Sequence, residues 1–393
     1  MIKGWEMKLL KDVCKVFVDG NWIESKDQSD SGIRLVQTGN IGFGFFKDKE
    51  DKSRYISEVT FDKLKCTEIL PGDLLVSRLP DPVGKSCIIP DIGSKMITGV
   101  DCTIIRTKDF LNPEYLCYYQ QSDEYLKAVL ERVSGTTRSR ISRKNLGMIP
   151  VPIPTLQEQQ KIVAILDESF AAIDQAKSNI EKNIQNAKEL ILSKRNDVFE
   201  ILSKELESKP IADYCEAIFA GGDAPKENFS PTKTEEFPIP IIANAVKDNG
   251  LYGYTNEARV HKPSITVAAR GSGTGHTEYR DYPFLPIVRL IVLTPDISKI
   301  EVEFLMYAIK SLVIERSGSA IPQLTVPMIK SYSIPVPISA VQIQIVESLS
   351  KLDENISGYT FQMERKLLEL NDLKKSILQK AFAGELVAKT IGA

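Results

Sequence analysis

Cations without counter-charge are the first chemical signal in this chain. The run Arg132-Val133-Ser134-Gly135-Thr136-Thr137-Arg138-Ser139-Arg140-Ile141-Ser142-Arg143-Lys144 holds Arg or Lys at five positions and no acid. Its Ser, Thr and Gly residues add hydroxyl and amide donors, a mixture suited to phosphate oxygens. Arg138, Arg140, Arg143 and Lys144 are its candidate nucleic-acid contacts, and a solvated loop is the competing reading. The related segment Arg316–Gln323 carries much less charge, which weakens an argument from charge alone. Arg78 and Arg270 each end an apolar strand just before a Gly-containing loop, and Lys85 and His276 follow in those loops. An arginine so placed can fork onto guanine O6/N7 or a phosphate; pairing with a nearby carboxylate is the alternative. Gln37, Asn40, Asn244 and Asn249 are amides in turn-rich loops, able to read adenine or simply to shape turns.

No catalytic constellation accompanies these groups. Val83-Gly84-Lys85-Ser86 has the tail of a phosphate-binding loop, but the first glycine of GxxxxGK[ST] would fall at Leu79. Asn112-Pro113-Glu114-Tyr115 is similar to the NPPY tetrad of amino-methyltransferases. Glu114 stands where that tetrad has proline, and no cofactor-binding glycine motif follows a strand upstream, so helix-start chemistry explains it better. Gly271-Ser272-Gly273-Thr274-Gly275 is too short for GxGxxG. Two histidines, His261 and His276, argue against a His-based metal centre. The expectation is therefore no catalytic, cofactor-binding or metal-binding residue in this chain.

Composition narrows the class further. Over 393 residues, 42% hydrophobic and 26% charged content is ordinary for two or three globular domains. A net charge of −2 excludes a protein that coats nucleic acid by bulk charge, so binding must use local patches. The six cysteines form no CxxC pair, as expected of reduced thiols in the cytoplasm rather than a disulfide framework. The first residues lack an apolar signal core, and no run approaches the roughly 20 apolar residues of a membrane span.

The elements that must position these groups occur twice. Ile149-Pro150-Val151-Pro152-Ile153 recurs as Ile334-Pro335-Val336-Pro337-Ile338. Each copy leads through glutamines (Leu156-Gln157-Glu158-Gln159; Val341-Gln342-Ile343-Gln344) into a long helix-type stretch. A repeat this long means two copies of one domain-plus-helix unit, not a solenoid. From Leu156 to about Leu206 there is no Pro or Gly, and Leu166, Phe170, Ile173, Ile180, Ile184, Ala187, Ile191 and Val198 form a coiled-coil stripe interrupted by Lys177 and Lys194. At about 1.5 Å per residue that helix extends roughly 70 Å. The second stretch, about 341–380, carries Leu349, Leu352, Ile356, Tyr359, Met363, Leu370, Leu373 and Ile377, with Lys366 in the seam and Gly358 as its one blemish.

Shorter echoes align the globular parts. Asp73–Arg78 pairs with Ile265–Arg270, Val83-Gly84-Lys85 with Thr274-Gly275-His276, and Pro113–Leu116 with Val302–Leu305. Strands are expected at 32–37, 73–77 and 102–105, and one helix from an Asn112 cap through Leu130. The expected fold class is α/β (α+β): two globular domains, 1–152 and 209–337, alternating with helical spacers, 153–208 and 338–393. The two long helices are expected to pair as an antiparallel coiled coil within a pseudo-twofold internal repeat.

Together these features resemble the specificity (S, HsdS) subunit of type I restriction–modification enzymes, over essentially the whole chain. Ile149–Gln159 is close to the family's IPLPPLxEQ spacer entry, Lys374–Leu386 to its C-terminal signature, and Gly72–Arg78 to its GDILxSR strand. Ser339-Ala340-Val341-Gln342-Ile343 lacks the expected Pro and Glu, and the first spacer ends without an LLQKAF-like sequence.

The resemblance implies a non-enzymatic chain in which each domain reads one half of an asymmetric, split double-stranded DNA site. The helices would act as a ruler between half-sites on the order of one to two helical turns apart, and would dock methyltransferase (M) subunits. S-adenosylmethionine, Mg2+ and ATP would sit on the M and restriction (R) subunits. Two other classes compete. One is a non-DNA adaptor with two protein-binding domains on a coiled-coil spacer; the other is a stand-alone methyltransferase, which requires S-adenosylmethionine binding by the isolated chain.

Overall fold

Two copies of one sheet arrangement organise the molecule. The computed structural model describes residues 5–135, 139–271, 273–312 and 323–388. These form two compact units, residues 1–179 with 365–393, and residues 180–364. Each unit therefore takes one globular domain, the near half of one long helix and the far half of the other.

In the first unit a four-stranded sheet runs in the order Cys14–Asp19, Cys102–Thr107, Leu74–Ser77, Ser86–Ile88. A three-stranded sheet beside it places Ile33–Val36 between Tyr55–Ile56 and a parallel strand, Met96–Thr98. The second unit repeats the plan: Cys215–Ala220, Ile291–Pro295, Ser264–Val267, Thr277–Arg280, and then Ile239–Ile242 between Leu251–Thr255 and parallel Leu285–Pro286. Even the bulge recurs, between Cys14 and Val16 and again between Cys215 and Ala217. Leu74-Leu75-Val76 and Ile265-Thr266-Val267, the latter with its Thr266 hydroxyl hydrogen-bonded, form inner strands because both of their faces are buried.

The repeated Ile-Pro-Val-Pro motif has a definite job. Pro150–Ile153 pairs antiparallel with Glu6–Leu9, and Ser333–Pro335 pairs with Ser208–Pro210, so each motif closes its domain in a two-stranded ribbon. Prolines, which lack a ladder donor, are tolerated in such edge positions. Their carbonyls are used instead: Tyr119 Oη donates to Pro150 O at 2.8 Å and Tyr115 Oη to Pro152 O at 3.0 Å.

The first long helix, Leu156–Glu205, begins at a capping box in which Glu158 N donates to Thr155 Oγ1 and Thr155 N to Glu158 Oε2. The second spans Ser339–Phe382. Within the first unit the two helix segments run antiparallel, with Lys177 donating to Asn371 and Lys374 to Asp174. Within the second, Phe199 and Leu202 of the first helix and Leu349 of the second join one core with Phe304. The stripe holds at Leu166, Phe170, Ile173, Leu349 and Met363. It drifts elsewhere: Lys194 and Lys366 face solvent while Arg195 and Leu367 turn inward, and Tyr359 and Leu373 are exposed. A straight helix of 3.6 residues per turn rotates away from a strict heptad.

One glutamine per unit ties helix to domain. Gln159 Oε1 accepts from Asn112 N at 2.7 Å, and its Nε2 donates to Phe110 O and Pro154 O at 2.9 and 3.0 Å. Gln342 does the same work, accepting from Glu301 N at 2.8 Å and donating to Pro337 O and Lys299 O at 2.8 and 3.4 Å. Both are buried. Each glutamine stands five residues after the proline whose carbonyl it holds, and Pro150 faces Leu9 as Ser333 faces Pro210, so the leads are equally long and the two Ile-Pro-Val-Pro copies match two residues away from the alignment expected from sequence.

The helix expected from Asn112 through Leu130 divides. Asn112 caps Pro113–Tyr119 by accepting from Tyr115 N, and Ser122 then caps a new helix, Asp123–Leu130. A serine able to take an orphan backbone donor favours a restart over continuation.

Candidate nucleic-acid interface

The strand ladders correct one expected equivalence. Leu74 opposes Ile88 and Ile105, and Ile265 holds the same place opposite Tyr279 and Leu293. Ser77 N donates to Lys85 O and Gly84 N to Ser77 O, just as Ala268 N donates to His276 O and Gly275 N to Ala268 O. Lys85 and His276 are therefore equivalent, as expected. Arg78, however, matches Ala269, and Arg270 matches Leu79. A slip of one residue sends a strand side chain to the opposite face.

The consequence is chemical. Arg78 is 5% exposed, donates to Val100 O and lies 3.2 Å from Asp19 Oδ2. Burial pulls its pKa down and Asp19 pulls it back up. It takes the carboxylate-pairing alternative and presents no free fork to a base edge. Arg270 is exposed, and among the described residues its guanidinium makes a 3.4 Å contact to Gln323 Oε1.

Around Arg78 the first unit gathers other candidates. Ile141 N donates to Arg78 O, and Arg140 pairs with Asp101 at 3.1 Å. Gln37 lines a cavity of about 200 Å³ with Thr38, Val100, Asp101 and the exposed Trp22. Arg143 and Lys144 open the helix Arg143–Gly147, exposed and outside any ion pair among the described residues. Arg138 lies outside the described residues, as does most of the Arg316–Gln323 segment. Arg132 bends back onto Ala128 O at 2.8 Å.

Lys85 donates to Asp81 O at 2.9 Å, and its ammonium is pushed down by burial and then by Lys47 and Lys49. That trio went unnoticed in the sequence, because Lys85 comes to Lys47 and Lys49 only through the sheet. Phe45 under Lys47 and exposed Phe43 add stacking surface beside it.

The amides divide by role. Asn40 Oδ1 accepts from Gln37 N and its Nδ2 donates to Lys47 O, so Asn40 shapes a turn. Asn244 accepts from Ala269 N and donates to Arg270 O, bracing the loop that carries Arg270. Asn249 is exposed in the left-handed region (φ 52°) with its carbonyl accepting from Arg280. His276 Nε2 lies 3.1 Å from Glu278 Oε1, off the hydrogen-bond direction. Among the described residues no group of three or more His, Cys, Asp or Glu could hold a metal, and no helix is long and apolar enough to cross a membrane.

Comparison with known proteins agrees with this plan. The family model described as "Type I restriction modification DNA specificity domain" matches residues 2–186 and 203–364. A type I specificity subunit from Mycoplasma pneumoniae is 30% identical, over 66% of this chain and 78% of its own length. The specificity subunit of the type I restriction enzyme MjaX from Methanocaldococcus jannaschii is 23% identical over 99% of this chain and 95% of its own. The HsdS subunit structure from Thermoanaerobacter tengcongensis superposes with a TM-score of 0.60 at 16% identity, covering 98% of both chains. A chain from a structure describing assembly and conformational transition of the type I R-M system gives 0.79 at 18%, again over 98% of both. With two matched domains that account for most of its length, the chain belongs to the type I restriction–modification DNA specificity family.

Proposed function

We propose that this chain is the sequence-reading, non-catalytic subunit of a type I restriction–modification complex. Each unit reads one half of a split, asymmetric site in double-stranded DNA, and the long helices set the unread gap and dock the methyltransferase subunits. The observation that supports this best is a scaffold repeated strand for strand whose loops differ: Lys85, Arg140, Arg143 and Lys144 in one copy, Arg270 and His276 in the other. Unlike loops on like scaffolds read unlike half-sites. Phosphate contacts by the exposed cations position the duplex, and loop side chains discriminate base edges. Methyl transfer with S-adenosylmethionine, and Mg2+- and ATP-dependent cleavage, then belong to the M and R partner subunits in the cytoplasm.

Methylome sequencing of a host with and without this chain, its methyltransferase partner supplied in both, tests the proposal. Loss of one split, asymmetric N6-methyladenine motif on deletion is the expected result. An unchanged methylome with the partner expressed would overturn it and leave the adaptor reading.

A further inference from the structure

The second unit contains a cavity lined by three basic side chains. It measures about 350 Å³ and is lined by Arg195, Lys310 and His276, with Thr274, Gly275, Thr277, Ile309 and Leu312. Arg195 comes from the first long helix, Lys310 from the last turn of Val302–Ser311, and His276 from the loop before Thr277–Arg280. Neither Arg195 nor Lys310 enters an ion pair among the described residues. Arg195 Nε and His276 Nε2 are buried without a hydrogen-bond partner. Two half-buried cations side by side are costly unless something balances them; burial is the largest influence on both and lowers the pKa of each.

Two carboxylates offset part of this charge, Glu278 and Asp353 drawing the Lys310 pKa back up and Asp353 that of Arg195, but neither forms an ion pair with these cations among the described residues. Asp353 already accepts from Tyr307 Oη at 2.9 Å, and Glu278 makes only the misaligned approach to His276. The hydroxyls of Thr274 and Thr277 donate to Gly271 O and Gly275 O, so recognition falls on the three basic groups.

The first unit has a cavity of about 410 Å³ at the matching place, but its cation is neutralised. Gln121 occupies the place of Lys310, counted from the matched helix starts at Pro113 and Val302. Lys374 takes the place of Arg195, because Leu378 and Phe199 enter equivalent cores one turn later. There Lys374 is neutralised by both oxygens of Asp174 at 3.1 Å and covers Phe170. Lys85, in the place of His276, is spent on a backbone carbonyl.

We propose that the Arg195–His276–Lys310 cavity binds a phosphate group. A compact multivalent oxyanion supplies acceptors to the guanidinium, the ammonium and the imidazole at once, and charge-assisted bonds of this kind are the strong ones. The cavity wall includes the loop that follows Arg270, so a backbone phosphate of bound duplex is the favoured source; that source rests on the DNA-reading function above. Free phosphate is the other source of the same chemistry.

The test uses the full chain, Lys310→Gln (the residue at the matching position of the first unit) and Arg195→Gln/Lys310→Gln. Melting is followed in inorganic phosphate and in chloride at equal ionic strength, since a ligand of the native state raises Tm. Expected is a phosphate-specific rise in the parent that is lost in the double variant, with phosphate affinity reduced about tenfold or more in Lys310→Gln. Duplex binding at several salt concentrations separates the sources: the slope of log K against log salt falls by about 1 in Lys310→Gln for a backbone phosphate, and stays unchanged for free phosphate. A phosphate response that persists in the double variant overturns the proposal. So does a parent with no phosphate response whose salt slope is also unaltered by Lys310→Gln. Absent duplex binding with an intact, variant-sensitive phosphate response would sink the DNA reading and leave the cavity standing.

Discussion

The two units differ least where side chains point inward and most where strands end. Gln159 and Gln342 make the same set of hydrogen bonds to a helix start and a proline carbonyl. At buried Asp73, by contrast, Arg106 donates two bonds at 2.8 and 2.7 Å, while the second unit fills that place with a Ser264–Thr294 hydroxyl pair at 2.9 Å. At the loop ends even charge placement changes, with Arg78 inside and Arg270 outside. A repeated scaffold keeps what satisfies its own backbone and frees the surface to diverge, which is how one architecture serves two recognition tasks.

The comparison can be broken most forcefully with alkali. Burial pushes Cys14, Cys87 and Cys102 up to about 12 and Cys117 up to about 11, all in the first unit, whereas the second has Cys215 alone, also at about 12. A thiol whose folded pKa is raised holds its proton in the native state and loses it first in the unfolded state. Its stabilisation is therefore complete below the ordinary value of 9.0 and declines as pH rises from there toward 12. Each such thiol contributes about 1.4 kcal/mol per pH unit in that window. Hydrogen exchange from pH 8 to 10.5, corrected for intrinsic rates, should show the first unit losing protection well before the second. Equal loss would refute the asymmetry.

Substituting the two glutamines probes the shared part. Gln159→Leu and Gln342→Leu should each cost about 3 kcal/mol, since each strands a buried backbone N–H and its carbonyls. Urea denaturation should find similar losses; a cost confined to one unit would mean that the junctions are not equivalent.

Arg78→Ala and Arg270→Ala test the divergent part. The first should destabilise by about 2 kcal/mol by removing the cation beside Asp19, which keeps only the Thr103 hydroxyl among its described side-chain partners. The second should leave stability within about 0.5 kcal/mol while reducing the salt slope of DNA binding by about 1. If the two effects came out reversed, the register drawn from the ladders would be wrong.

The smallest effect lies in the helices. A Cβ at Gly358 would meet nothing within 4 Å, so Gly358→Ala should add about 1 kcal/mol to the second unit. A thermal melt that fails to rise would show that this helix turn is unformed in solution.

Much of the architecture could be read from residues alone, for identifiable reasons. Absence of Pro and Gly over fifty positions dictates a continuous helix, observed as Leu156–Glu205. Apolar runs between turn residues announced Ile33–Val36, Leu74–Ser77 and Cys102–Thr107. The Asn112 cap was visible as Asn-Pro, while the restart at Ser122 was hidden by apolar residues on both sides. Interface residues were harder to place. Arg143 and Lys144 do stand exposed, but Arg78, Asn40 and Asn244 are held by partners that nothing nearby in sequence announces.

What the sequence by itself determined is the repeat, the long helices and the paired sheet-bearing domains, because periodicity, capping and breaking are local properties of the chain. Only the tertiary structure decided which arginine is exposed, which lysines gather at Lys85, and where Arg195 and Lys310 share a cavity. Those outcomes depend on strand register and helix rotation, where one residue reverses a face and distant positions become neighbours.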